Sequence, residues 1–205
     1  MTVTRSERVD VLLPDDASLA AAFASLPDWR RRKAEAFRFE ADRRLSAAVW
    51  LLLRQALAER GLDADLLSVT ENEFGKPAFD PALGVHFNLS HAGERVMVAV
   101  DDRPVGCDVE RIVPFDEVTA RGCLTDKELT WVKMTSPGSD RDRAFIRLWV
   151  RKESYVKAVG RGMDLDPSMV SALGQPPTSG WTWQDFDFGD GHLGCLCRRI
   201  GRNFL

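Results

Sequence analysis

The segment Val105-Gly106-Cys107-Asp108-Val109-Glu110 constrains this chain more than any other. It is an otherwise apolar run that predicts a buried β-strand, in which side chains two residues apart project from the same face. Asp108 and Glu110 are therefore expected side by side. Two carboxylates held this close repel each other unless a cation or a shared proton intervenes. A hard divalent metal ion, which prefers oxygen ligands, explains the pair best.

The size and composition of the chain are those of a globular protein. Its 205 residues can build one large domain or two small ones, with 44% hydrophobic residues, 29% charged residues and a formal net charge of −3. These values exclude disordered and membrane proteins and a generic polyanion-binding surface. The first residues contain no apolar leader, and no later run is long enough to cross a bilayer. We therefore expect a cytoplasmic protein without nucleic-acid or membrane partners.

Helices and strands are predicted from apolar periodicity and from capping and turn residues. Strands are predicted at residues 7–13, 66–71, 85–89, 95–100, 105–110, 181–188 and 192–198. Helices are predicted at residues 17–26, at 28–61 with a break near 40–42, after the capping box at 125–128, and at 140–159. The polar link Asp101–Pro104 is expected to join its two flanking strands as an antiparallel hairpin.

A short internal repeat suggests a duplicated unit. Arg60-Gly61-Leu62-Asp63-Ala64-Asp65 lines up with Arg161-Gly162-Met163-Asp164-Leu165-Asp166, 101 residues later. Both segments leave a long predicted helix through glycine. We therefore expect two α+β units, residues 1–101 and 102–205, with the functional site at their junction, because binding clefts favour such interfaces.

Several polar groups allow both an ordinary and a functional interpretation. The cationic run Arg30, Arg31, Arg32, Lys33, Arg38, Arg43 and Arg44 is typical of a solvated helix face, or of a surface that binds a compact anion. Glu153 and Lys157, four residues apart, form a surface pair or supply a third carboxylate and a phosphate contact. Ser90 and His91 are turn residues or phosphate donors, because sequence neighbours do not face each other as a hydrolytic pair. Cys195 and Cys197 would share a strand face, where small buried fillers are favoured over a metal or redox pair.

Four motifs follow one another in the chain. They are Gly-Lys-Pro at 75–77, Asn-x-Ser-His at 88–91, Gly-x-Asp-x-Glu at 106–110 and Trp-x-x-Lys-Glu-Ser-x-x-Lys at 149–157. Their order and type resemble the 4′-phosphopantetheinyl transferases, particularly the larger surfactin-synthetase-activating type. The resemblance covers roughly residues 28–163.

This resemblance implies a fold and an activity. The fold is α+β, a monomer of two similar halves related by a pseudo-twofold axis, each a small, largely antiparallel sheet with a long helix. The activity is magnesium-dependent transfer of the phosphopantetheine arm of coenzyme A to a serine of an apo acyl or peptidyl carrier protein, with release of 3′,5′-ADP, as in secondary metabolism. A metal-dependent hydrolase of coenzyme A or a related nucleotide, and a non-catalytic coenzyme A-binding module, are the alternatives.

The resemblance also implies roles for individual residues. The implied magnesium ligands are Asp108, Glu110 and Glu153, and the implied catalytic residues are Glu153 as general base, Lys157 and Asp108. The implied coenzyme A contacts are Arg30, Lys33, Arg44, Lys76, Pro77, Ser90, His91 and Lys157. Trp149 is expected to pack under Glu153, and residues 114–131 to meet the carrier. The sequence leaves the identity of the carrier open.

Overall fold

The computed structural model of the chain describes residues 1–162 and 165–201. The strands are β1 (Val3–Arg8), β2 (Val69–Glu71), β3 (Pro77–Phe79), β4 (His86–Ala92), β5 (Arg95–Asp101), β6 (Val105–Arg111), β7 (Trp181–Asp187) and β8 (His192–Arg199). The helices are α1 (Val9–Leu12), α2 (Asp16–Ala24), α3 (Asp28–Glu35), α4 (Glu40–Ala58), α5 (Glu117–Cys123), α6 (Asp126–Met134) and α7 (Ser139–Val159).

Two antiparallel sheets with the same topology form the framework. The first has the order β1-β5-β4 and the second the order β6-β8-β7, while β2 and β3 make a small separate hairpin. In each sheet the chain enters by one strand, passes through a long helix (α4 or α7) and returns as a hairpin whose second strand pairs with the first. The α+β class, with two small antiparallel sheets and a long helix in each half, is thereby confirmed.

Strand β5 is buried on both faces and joins the halves. Val96, Val98 and Val100 contribute to the core that the first sheet shares with α4. On the other face Met97 and Ala99 pack in a cluster with apolar side chains of β6 and β8. On α4, the apolar residues that recur at helical spacing form a buried stripe, which consists of Leu45, Val49, Leu52, Ala56 and Leu57. Apolar contacts between the sheets therefore hold β6 beside the first half.

The N-terminal strand differs from its prediction. β1 covers Val3–Arg8, and Val9–Leu12 forms the short helix α1, so the strand predicted at 7–13 is wrong. The pairing of β1 with β5 ends where Arg8 meets Arg95, after which Val9 N donates to Glu94 O at 2.9 Å. The residues after Arg8 have no partner strand. They form a helix instead, although their apolar and polar side chains alternate as in a strand.

The predicted hairpin of the strands around Asp101–Pro104 is also wrong. β5 forms a hairpin with the preceding strand β4 through Gly93, which adopts a φ of +56°. β6 pairs with β8 in the other sheet. The polar link therefore connects two sheets rather than two paired strands. The sequence alone could not separate these cases, because both need a short turn between apolar strands.

The internal repeat is found at both helix exits, although the second copy is only partly described. Asp63 and Asp166 each accept a hydrogen bond from the backbone at the start of a 3₁₀ turn. Met163 and Asp164 lie outside the described residues. After the repeat, the first copy enters β2 at Val69, whereas the second copy reaches β7 only at Trp181. No helix in the described part of the chain is both long and apolar enough to cross a membrane.

Candidate active site

Gly106 allows helix α7 to lie directly on strand β6. A Cβ at this position would be 2.1 Å from Ser154 O and 2.3 Å from Ala158 N, both backbone atoms of the helix. Only glycine permits such an approach of helix and strand. The close contact brings the last turns of α7, with Glu153 and Lys157, over the face of β6 that carries Asp108.

Asp108 is the centre of the site. The residue is 1% exposed, and its Oδ1 accepts hydrogen bonds from Lys157 Nζ at 2.5 Å and from Ser90 Oγ at 2.9 Å. Lys157 Nζ also donates to Ser90 Oγ at 3.1 Å. Burial alone would lower the pKa of Lys157, but the charge and hydrogen bond of Asp108 outweigh it and raise that pKa. Lys157 is therefore a firmly protonated cation beside a buried carboxylate.

Strands β4 and β6 belong to different sheets, and side chains of β4 make the hydrogen bonds between them. Asn88 Oδ1 accepts from Cys107 N at 2.8 Å, and Ser90 Oγ accepts from Val109 N at 3.2 Å. Ser90 and His91 lie within β4 rather than in a turn after it. Sequence analysis missed Asn88, although its spacing of two from Ser90 predicts that both face the same neighbour. These two residues tie β4 to the acidic strand.

The pKa values of the three carboxyl groups Asp108, Glu110 and Glu153 are all raised. Burial first, and then the charges of Asp108 and Glu153, raise the pKa of Glu110 to about 7. Burial and Asp108 raise the pKa of Glu153, and burial raises that of Asp108 against the opposing charge of Lys157. Such mutual repulsion is what a divalent cation relieves.

A metal fits the donor atoms, although the side chains are not gathered around one point. Asp108 Oδ2 is buried and has no hydrogen-bond partner within the described residues. Across the same residues, no group of three or more His, Cys, Asp or Glu side chains is arranged to hold an ion. Lys157 occupies the other oxygen of Asp108. The orphaned oxygen and the hard carboxylate donors fit magnesium, and the ligand set Asp108, Glu110 and Glu153 stays a prediction.

A cleft of about 370 Å³ opens beside this network at the junction of the halves. Its walls include the loop residues 74–77, Asn88 of β4, and Glu153, Val156 and Lys157 of α7. Gly160, Gly162, Leu165 and Pro167, which follow α7, complete them. The predicted residues Lys76, Pro77, Glu153 and Lys157 therefore share one cavity.

The predicted cations differ in their distance from the site: some lie near His91, and Arg44 lies outside the cleft. Burial of His91, and then the positive charges of Arg30 and Lys157, lower the pKa of its imidazole, so both cations lie near His91. The Arg30 side chain is buried, donates to Ser46 O at 3.2 Å, and has a pKa lowered by burial to about 10. Lys33 is exposed on α3. Arg44 donates to Leu13 O at 2.8 Å and lies near Asp16 and Glu40, outside the walls of the cleft.

Two further side chains of α7, Trp149 and Lys152, contribute to the surroundings of the site. Trp149 lowers the pKa of Glu110 against the larger effects of burial and Asp108, which places it near Glu110, and its packing under Glu153 stays a prediction. Lys152 is fully buried and pairs with Glu128 at 2.6 Å. The capping box predicted the bond between Glu128 and Thr125. The second oxygen of Glu128 accepts from Ala172 N, a contact across 44 residues that has no local sequence signal.

Two family models match consecutive parts of the chain. The model described as "4'-phosphopantetheinyl transferase, N-terminal" matches residues 13–103, and that of the 4′-phosphopantetheinyl transferase superfamily matches residues 104–185. The 4′-phosphopantetheinyl transferase AcpT of Salmonella typhi is 33% identical over 140 residues, which are 65% of this chain and 72% of that protein. The chain belongs to the 4′-phosphopantetheinyl transferase superfamily. The family resemblance inferred from the four motifs is thereby confirmed.

Other relatives in the 4′-phosphopantetheinyl transferase superfamily are longer than the matched part. The transferase gsp of Aneurinibacillus migulanus is 37% identical over 55% of this chain and 47% of its own length. A Bacillus subtilis transferase is 32% identical over 74% of this chain and 66% of its own length. The chain thus spans about half to two thirds of these relatives. The crystal structure of Thermotoga maritima holo-[acyl-carrier-protein] synthase is similar to this chain with a TM-score of 0.39 and a sequence identity of 20%. The match covers 48% of this chain and 64% of that one, and no conclusion is based on it.

Proposed function

We propose that the protein transfers the 4′-phosphopantetheine group of coenzyme A to a serine hydroxyl of an apo acyl or peptidyl carrier protein, releasing 3′,5′-ADP. The observation that carries the proposal is the network of Asp108, Ser90 and Lys157 at the cleft between the halves. Relatives named as transferases of this group support the choice of reaction.

The proposed metal ligands are Asp108, Glu110 and Glu153. Magnesium, when bound, would supply positive charge to the pyrophosphate oxygens and to the leaving phosphate. Val109, which stands between the two strand acids, has no side-chain donor for the ion, so water would complete the coordination.

The other proposed roles belong to residues around the cleft. Glu153, whose pKa is raised, accepts the proton of the incoming serine as that oxygen attacks the phosphorus attached to the pantetheine. A new ester bond forms, and the bond from that phosphorus to the bridging oxygen of the pyrophosphate breaks. Lys157 neutralises charge that develops on the phosphate oxygens. Arg30 brings a further positive charge to the region of His91, whose lowered pKa favours a neutral imidazole that can donate a hydrogen bond to a phosphate oxygen.

Further parts of the proposal concern organisation and partners. We propose units at residues 1–101 and 102–205, a monomeric protein, and coenzyme A contacts that include Lys33, Arg44, Lys76, Pro77 and Ser90. The link between β5 and β6, where the two family models meet, supports that boundary. We propose residues 114–131 as the carrier-facing region, in which Val118 is 81% exposed and Trp131 is 42% exposed.

The proposal is tested by weighing carrier proteins. The protein is incubated with coenzyme A, magnesium and a panel of apo acyl and peptidyl carrier proteins, and the carriers are then measured by mass spectrometry. A mass gain of one phosphopantetheine group on a carrier serine is expected. Asp108→Asn should reduce the rate by at least about a hundredfold, because it removes a charged group of the reaction centre. Asp140→Asn, which changes an exposed residue at the far end of α7, should leave the rate unchanged.

The same experiment separates the alternatives. Carriers of unchanged mass together with consumption of coenzyme A would instead indicate a hydrolase. Unchanged carriers with intact coenzyme A that binds to the protein would indicate a binding module. Full activity of Asp108→Asn would contradict its assignment to the reaction centre.

A further inference from the structure

The turn at residues 72–76 belongs to the first half of the chain but holds the end of α7 in the second half. Asn72 Nδ2 donates to Gly160 O at 2.9 Å. Lys76 Nζ donates to Lys157 O at 2.5 Å and to Val105 O at 3.1 Å. One turn therefore contacts both the last turn of α7 and the first residue of β6.

The turn is internally braced for this contact. Asn72 Oδ1 accepts hydrogen bonds from Phe74 N at 3.0 Å and from Lys76 N at 2.9 Å. Asn72 N donates to Lys76 O, and Gly75 N donates to Asn72 O, both at 2.9 Å. The oxygen of the Asn72 amide is thus used within the turn. Its nitrogen is the end that reaches the helix.

The end of α7 needs such partners. The last four carbonyl groups of a helix lack intrahelical donors, and a cation near them interacts favourably with the helix dipole. Gly160 N donates a hydrogen bond to Val156 O at 2.9 Å, and Lys76 Nζ donates one to Lys157 O. A Cβ at Gly160, whose φ is +76°, would lie 3.3 Å from Lys76 Cδ and 3.6 Å from Asn72 Nδ2. The turn is packed against the helix end.

The held residues are those that the reaction would use. Lys157 is bound through its carbonyl by Lys76 and contacts Asp108 through its own ammonium. Glu153 lies one helical turn earlier, and Val105 lies three residues before Asp108 on β6. We propose that Asn72 and Lys76 are positioning residues that hold the last turn of α7 against β6, and through it Lys157 and Glu153. The catalytic part of this inference rests on the proposed function.

The variant Asn72→Asp tests the contact. It keeps an oxygen for the two backbone donors of the turn but loses the donor to Gly160 O. Amide hydrogen exchange of residues 157–160 is measured in the free protein. The loss of one hydrogen bond should speed exchange there by about fivefold. Glu73→Gln, an exposed neighbour in the same turn, should change nothing. Unchanged exchange in both Asn72→Asp and Lys76→Met would overturn the proposal.

Kinetics separate positioning from general stability. Asn72→Asp should lower kcat by about tenfold while the KM for coenzyme A stays within about twofold, because misplaced groups cost rate rather than binding. Lys76→Arg, which can still donate to both carbonyl groups, should restore part of the kcat lost in Lys76→Met. Faster exchange with an unchanged kcat in Asn72→Asp would overturn the positioning role. An inactive wild-type protein would contradict the proposed function, and hydrogen exchange would still decide the contact.

Discussion

At the scale of single residues, Asp108 shows how one buried carboxylate is made tolerable. Its Oδ1 is shared between Lys157 and Ser90, and Ser90 is itself held by Val109 N. Its Oδ2 is buried and has no partner in the part of the chain that the structure describes. A buried charge with one satisfied oxygen is costly, which is typical of functional sites. Both halves of the molecule supply a hydrogen-bond partner for Asp108, since Ser90 lies on β4 and Lys157 on α7.

Removing the cation should therefore destabilise the protein. Lys157→Met should lower the free energy of unfolding by about 3 kcal/mol, because it leaves Asp108 buried without a counter-charge. Urea denaturation without magnesium measures this change. Lys157→Arg keeps the charge and serves as the matched control. The double variant Asp108→Asn with Lys157→Met should recover much of the loss, and a purely additive effect would show that the two side chains are not coupled.

At the scale of elements, α7 organises the second half because opposite sides of it meet different partners. Ser154 and Ala158 contact β6 at Gly106, while Lys152 is buried against Glu128. Lys152 Nζ also donates to Pro167 O at 2.9 Å and to Val170 O at 2.6 Å. The helix therefore holds the start of α6 and the segment 167–172, part of which lines the cleft.

Breaking that internal ion pair should be more damaging than breaking one at the surface. Lys152→Met should cost about 3–5 kcal/mol in the free energy of unfolding, because Glu128 is fully buried. Arg147→Met, on the exposed side of the same helix, should cost less than about 1 kcal/mol. Urea denaturation of both variants provides the comparison. The double variant Glu128→Gln with Lys152→Met should be more stable than Lys152→Met alone, and the opposite order would show that Glu128 does not depend on the cation.

At the scale of the whole molecule, the site exists only where the two halves meet. β4 and the turn at 72–76 come from the first half, and β6 and α7 come from the second. The halves are joined by apolar contacts between the sheets, by Asn88 and Ser90, and by Lys76. A cluster in which Arg95 donates to Asp190 at 2.7 Å adds a polar contact away from the cleft. The geometry of the candidate site and the association of the two halves are consequently linked.

Lys76 makes this junction sensitive to alkaline pH. Burial lowers the pKa of Lys76 from 10.5 to about 8. Nearby titratable groups include the thiols of Cys107 and Cys197. Those thiols stay neutral here, because burial raises the pKa of each to about 12. Between the pKa of Lys76 in the folded chain, about 8, and its ordinary value of 10.5, Lys76 is protonated in the unfolded chain but not in the folded chain. The free energy of unfolding should therefore rise with pH across that window.

The matching measurement compares wild type with Lys76→Met. Urea denaturation at about pH 7.5 and about pH 9.5 should show the wild type gaining stability relative to the variant as pH rises. Lys127→Met removes an exposed lysine and gives the control curve. A stability difference that is independent of pH would contradict the depressed pKa of Lys76.

Elements whose signals are local could be predicted from the sequence. The capping box at Thr125 placed the start of α6, and periodicity placed α7 and the buried stripe of α4. The four motifs identified the family and, through the spacing of Asp108 and Glu110, the acidic strand. These signals depend on neighbouring residues and on the period of helix or strand, so they can be read along the chain.

Only the tertiary structure decided which elements meet. Strand pairing across Asp101–Pro104 depends on long-range packing, and this explains why the predicted hairpin failed and β6 pairs with β8. The same holds for Asn88 and Ser90 bridging to β6, and for Asn72 and Lys76 at the end of α7. These contacts join residues far apart in the chain, where no local pattern records the partner. The carboxylate pair is visible in the sequence, whereas the cation beside Asp108 is placed there by the packing of α7 on β6.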